Sequence, residues 1–140
     1  AVNLVWALHV SLKGILAEGM ETRFARHTLM SSAFKAGIGA LGLKQLPVRQ
    51  DLYAATLSAI YYPAGIDKGI LKLIDEAGVI VAGGLHPAVR DQYFRVGHMG
   101  SISAADVLAT IGAIESGLSR SGFGFEPGSG IAAAQKVLTS

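Results

Sequence analysis

The chain has 140 residues, the size of one domain with a core of its own. Hydrophobic residues make up 51% of it and charged residues 16%. An average soluble domain carries about 25% charged residues, so part of the apolar surface is expected to face another domain or subunit. A net charge of +2 is too small and too scattered for a nucleic-acid footprint. The absence of cysteine excludes disulfides, a thiolate nucleophile and sulfur metal sites, and is compatible with an intracellular home.

No apolar run reaches the roughly 18 residues of a membrane span. The opening AVNLVWALHVSLKG lacks the basic n-region and small-residue cleavage site of a signal peptide. It starts in mid-pattern, without methionine or helix cap, and is expected to be a piece of something longer or a processed product. Residues 2–10 are nearly all apolar, which predicts a helix hydrophobic on every side. Such a helix is normally buried all round, so a neighbour is expected.

Residues 20–36 predict an amphipathic helix with Met20, Phe24, Thr28, Leu29, Ala33 and Ala36 on one stripe, stopped at Gly42. ATLSAIYYP (55–63) predicts a strand closed by Pro63. Asp67 is placed as N-cap of a short helix with Ile70, Leu73 and Ile74 facing inward, ended by Gly78. VIVAGG (79–84) predicts a short buried strand that breaks into a glycine turn, and QYFRVG the next strand. Ser103 and Asp106 predict a capping-box start for a helix running to about Leu118. After the glycine-rich SGFGFEPGSG comes a last amphipathic helix ending near Leu138. Helices on one side of a small mixed or antiparallel sheet give an α+β sandwich.

GIGALG (Gly37, Gly39, Gly42) matches G-x-G-x-x-G literally, but it ends a helix instead of following a strand, so it reads as a helix terminus. His9, His27, His86 and His98 show no metal spacing. His9 and His27 read as structural or surface residues, while His86 and His98 are candidates to border a cleft. No G-x-S-x-G elbow, P-loop or paired carboxylate is visible, and the chain by itself holds no catalytic constellation. The strand aromatics Tyr61, Tyr62, Tyr93 and Phe94 are faintly like an RNA-recognition sheet, but RVGHMGSI does not match its signature.

Arg95 stands alone as a charge inside an apolar strand. Alternation puts Asp91, Tyr93, Arg95 and Gly97 on one face, with Phe94, Val96 and His98 on the other. One reading is an internal ion pair with Asp91. The other is a guanidinium held for a ligand carboxylate, which it can grip with two parallel hydrogen bonds. The pattern leaves both open, and Gly97 favours the second because it lets a ligand come close.

Three stretches, AVNLVWALHVSLKGILAEG, YYPAGIDKG and VIVAGGLHPAVRDQYFRVGHMG, resemble the C-terminal part of the class V pyridoxal-phosphate aminotransferases. The likeness is to the alanine–glyoxylate and serine–pyruvate branch, closest to fungal members, and covers the whole chain. It implies an α+β small domain at residues 21–140, entered by an inter-domain connecting helix at 1–20. It implies a homodimer that moves an amino group from alanine or serine to a 2-oxo acid such as glyoxylate. It also implies that Arg95 binds the substrate carboxylate, with Gly83 and Gly84, and next to them His86 and His98, as substrate-site candidates. The Schiff-base lysine and the cofactor contacts are implied to lie in an upstream large domain. None of Lys13, Lys35, Lys44, Lys68, Lys72 and Lys136 matches that lysine, so the chain alone is expected to be inactive. Neither nucleic acid nor membrane is expected as a partner. The alternative is a non-catalytic interaction or ligand-binding domain with the same fold.

Overall fold

Gly19, at φ 81°, interrupts what would otherwise be one N-terminal helix. The computed structural model describes residues 1–140, and in it α1 (Val2–Glu18) and α2 (Met20–Ala40) meet at this glycine. None of the residues of α1 is buried, and Val2, Leu4, Val5, Trp6 and Leu8 are all exposed. The helix is apolar all round and nothing in the chain covers it. No helix of the chain is long and apolar enough to cross a membrane.

The buried face of α2 differs from the expected stripe. Ala33 of that stripe is buried, with His27, Met30, Ser31, Phe34 and Ile38 beside it, whereas Met20, Phe24 and Leu29 are exposed. Counting apolar residues does not register this, because two inward residues are polar and paired with groups distant in sequence. The His27 Nδ1–H donates to the Arg23 carbonyl at 2.7 Å, and its Nε2 accepts the Gly100 N–H at 3.0 Å, an assignment made from the two partners. Buried polar groups cost little once paired. The helix stops as expected at Gly42 (φ 75°): Gly42 N–H donates to Gly39 and Leu43 N–H to Ile38, a Schellman closure.

A 3-10 turn (Gln50–Leu52) precedes β1 (Leu57–Tyr61). Then come α3 (Ile70–Glu76), β2 (Ala82–Gly83), β3 (Tyr93–Gly97), α4 (Ala104–Arg120) and α5 (Ser129–Leu138). The sheet is antiparallel with order β1-β3-β2, so the arginine strand lies in the middle. The segment 79–84 is not the buried strand expected of it. Only Ala82 and Gly83 pair, and Ile80 is 87% exposed. With a sheet edge on one side and a loop on the other, there is no second layer to bury it.

One face of the sheet packs on the helices. Ile60, Phe94 and Val96 join Phe34 of α2 and Ile111 and Ile114 of α4 in a single core cluster. α4 begins with the expected capping box, Ser103 and Asp106 each bonding the other's backbone N–H. Glycines set the helix spacing. A Cβ on Gly37 would sit 2.6 Å from Ile111 and 2.9 Å from the Gly130 carbonyl, so α2, α4 and α5 touch backbone to side chain. The start of α5 has no cap of its own. Glu115 of α4 supplies one, accepting the N–H groups of Gly128, Gly130 and Ile131 at 2.9, 3.0 and 3.3 Å.

Candidate functional site

The face of the sheet turned away from the core carries Leu57, Ala59 and Tyr61 from β1, Ala82 from β2, and Tyr93 and Arg95 from β3. Arg95 stands between two alanines, Ala59 on one neighbouring strand and Ala82 on the other. Small residues on both sides leave its long side chain free along the sheet surface, where it is half-buried.

Within the chain Arg95 makes one side-chain hydrogen bond: Nε–H donates to the Gly83 carbonyl at 2.8 Å. It takes part in no ion pair. Asp91 is exposed and lies instead 4.0 Å from Lys68 and 3.8 Å from Arg90. The bond to Gly83 fixes the Nε edge of the guanidinium, while Nη1 and Nη2 have no partner in the chain. Those two groups form the planar two-pronged edge that matches a carboxylate.

Gly83 and Gly84 belong to this arrangement through their backbone. Gly83 aims Arg95, and Gly84 lets the 84–90 loop close tightly, since a Cβ there would lie 2.5 Å from the Arg90 carbonyl oxygen. His86 sits on the exposed part of that loop, its Nδ1 accepting the Ala88 N–H at 3.3 Å. His98 is not on this face. Alternation carries it to the core side, where it is 1% exposed, packs on the Phe34 ring and pairs through Nε2 with Ser58 Oγ at 2.9 Å. Burial pushes its pKa down to about 4, with the charge of Lys35 adding to the effect. Its nomination beside Arg95 is therefore corrected: it is a neutral core residue.

Tyr93 and Phe94 are buried, and Phe94 stacks on Tyr62 with ring centroids 5.6 Å apart. The sequence reading gave Tyr93 no role in the site, yet its hydroxyl oxygen accepts the Leu85 N–H at 2.9 Å and the His86 N–H at 3.3 Å. Alternation showed that Tyr93 shares the face of Arg95. Nothing local in the sequence showed which backbone groups it would meet.

A cavity of about 820 Å³ lies between α2 and the 43–55 segment, and Arg95 does not line it. Lys35 does, its ammonium bonded to Ser31 Oγ and, at 2.6 Å, to the Ala54 carbonyl. Burial holds its pKa below the ordinary lysine value. It is engaged by Ser31 and Ala54.

No protein-family model matches the chain. Individual proteins do. It is 37% identical over 137 residues to the L-aspartate–glyoxylate aminotransferase of Paracoccus denitrificans, covering 96% of this chain and 34% of that protein. It is 33% identical over 140 residues to the serine–glyoxylate aminotransferase of Hyphomicrobium methylovorum, covering 99% of this chain and 35% of that protein. The chain thus spans about a third of the length of the curated relatives it matches. The fold superimposes on ureidoglycine–glyoxylate aminotransferase of Bacillus subtilis with a TM-score of 0.83 and 30% identity, over 89% of this chain and 33% of that one. Sequence and fold comparisons thus agree: over nearly its whole length the chain is similar to class V glyoxylate aminotransferases, matching about a third of each.

Proposed function

We propose that this chain is the carboxylate-gripping domain of a pyridoxal-phosphate transaminase that moves an amino group from alanine or serine to glyoxylate or another 2-oxo acid. The observation that carries this reading is the state of Arg95. It is fixed at Nε by Gly83, free at Nη1 and Nη2, flanked by alanines and paired with no acid. A half-buried, pre-aimed guanidinium without an internal counter-charge is suited to an anionic ligand.

Around Arg95 the chain fits the substrate and not the cofactor. No lysine stands in register with it, and Lys35 is tied elsewhere. On this reading the cofactor, which supplies the electron sink, is held mainly by a preceding large domain. That domain and the partner subunit of a homodimer also cover the apolar surface of α1. Arg95 itself neither gives nor takes a proton. It fixes the carboxylate and thereby which face of the α-carbon is presented to the catalytic groups.

Arg95→Ala in the complete enzyme tests this reading. Removing one partner of a desolvated charge pair costs about 2–5 kcal/mol, or roughly 30- to 5000-fold in kcat/KM. The cofactor is expected to stay bound, and Arg95→Lys to restore little, since an ammonium has no planar fork. A folded Arg95→Ala enzyme that turns over alanine and glyoxylate normally would remove the proposal.

A further inference from the structure

We propose that Tyr93 is a positioning residue for Arg95, because its phenolic oxygen holds the 84–86 turn and so fixes the Gly83 carbonyl that aims the guanidinium. This rests on the reading of Arg95 as the carboxylate anchor and adds the device that keeps the anchor in place.

The need for such a device follows from the sheet. Strand β2 is two residues long, pairing only Ala82 with Arg95 and Gly83 with Phe94. A strand that short has almost no ladder to hold it, and the end of an edge strand frays most readily. Yet Gly83 offers the one acceptor that orients Arg95. The backbone just beyond it is held by a side chain instead. Tyr93 Oη accepts the N–H groups of Leu85 and His86 at 2.9 and 3.3 Å, and the Tyr93 ring is 4% exposed. Contact between ring and turn is close: a Cβ on Gly84 would lie 2.7 Å from Tyr93 Cε1. Tyr93, Arg95 and the turn thus form a closed circuit, from the Tyr93 phenol to the turn, from the turn to Gly83, and from Gly83 back to the strand at Arg95. The two N–H groups, His86 first, together with the charge of Arg95, hold the phenol pKa below the ordinary tyrosine value.

The kinetic consequence is specific. If the turn loosens, Arg95 samples several orientations and only a fraction bind carboxylate. Apparent affinity falls by that fraction. Once substrate is bound, its carboxylate itself fixes the fork, so turnover at saturation is preserved. Tyr93→Phe keeps the ring and deletes the oxygen. In the complete enzyme it is expected to raise KM for both the amino acid and the oxo acid by about 5- to 10-fold, the size of one or two neutral hydrogen bonds. We expect kcat to stay within roughly twofold of wild type on the same population argument.

Hydrogen–deuterium exchange of the 84–88 backbone gives a readout independent of the substrate. Exchange at Leu85 and His86 should rise about tenfold or more in Tyr93→Phe, with α4 and α5 unchanged, since the opening is local. Rises in both exchange and KM support the inference. Unchanged exchange at the turn overturns it whatever the kinetics. Raised exchange with unchanged KM overturns the inference, because the turn is then held by Tyr93 without aiming Arg95, while the reading of Arg95 as the anchor is decided separately by Arg95→Ala. Exchange raised throughout the domain, with kcat and KM both damaged, overturns it in favour of a merely structural tyrosine.

Discussion

Glu115→Gln is a sharp test of how the domain holds its last helix. The Glu115 carboxylate is 9% exposed and accepts three N–H groups at the start of α5, where the N-cap is Gly128 and offers no side chain. Hydrogen bonds to a charged group contribute about 1.5–3 kcal/mol each, and leaving a buried N–H unpaired costs about 1–3 kcal/mol. Glutamine keeps one oxygen for Gly130 and Ile131 but turns an NH2 toward Gly128. One bond is lost and the remainder become neutral, a cost of about 2–3 kcal/mol. For a domain of this size that corresponds to a melting temperature lower by about 5–10 °C. Urea unfolding followed by circular dichroism should show a lower midpoint at unchanged slope. Amide exchange in the first turn of α5 should accelerate. A Glu115→Gln chain within about 0.5 kcal/mol of wild type, a typical surface-substitution effect, with first-turn exchange unchanged, would refute the capping argument.

Three further outcomes follow from the same structure. The 140-residue chain alone should self-associate and leave Trp6 open to quenchers at high dilution, because α1 exposes apolar residues on every side; a monodisperse monomer with a shielded Trp6 would contradict this. His98 is neutral when folded, its pKa about 4 against 6.5 unfolded, so the unfolded chain binds more protons between those values. Stability should therefore be lost as pH falls from 6.5 toward 4, by about 3 kcal/mol at most, and His98→Gln should flatten that slope in urea titrations. Gly84→Ala should open the 84–90 loop, because the new methyl would meet the Arg90 backbone at 2.5 Å and 2.8 Å; exchange in that loop indistinguishable from wild type would argue against so close a contact.

Local signals were legible wherever the physics is local. The Ser103–Asp106 capping box, the Gly42 stop and the alternation that set Arg95 apart from Phe94 and Val96 all needed only neighbours in sequence. The errors came where distant partners decide. His27 and Ser31 face inward because Gly100, Lys35 and Ala54 satisfy them, and hydropathy does not register that. Ile80 points outward because β2 is a two-residue edge. His98, a cleft candidate close to Arg95 in sequence, lies on the core face that alternation alone already assigns to it. The candidate site was half visible: a lone arginine in an apolar strand ending at a glycine is legible in the sequence, whereas its lack of an acidic partner, Gly83 as its acceptor and Tyr93 as the brace of the turn required the sheet.

The central claim is that Arg95 recognises a carboxylate. The most direct measurement compares kcat/KM for alanine and for alanine amide, in the complete enzyme and in its Arg95→Ala variant. The amide keeps the amino group and the methyl but carries no negative charge. Wild type is predicted to prefer alanine by about 30-fold or more, the lower bound for a desolvated charge pair, and Arg95→Ala to lose nearly all of that preference while handling the amide much as wild type does. An undiminished preference for alanine in the folded Arg95→Ala enzyme would contradict the account.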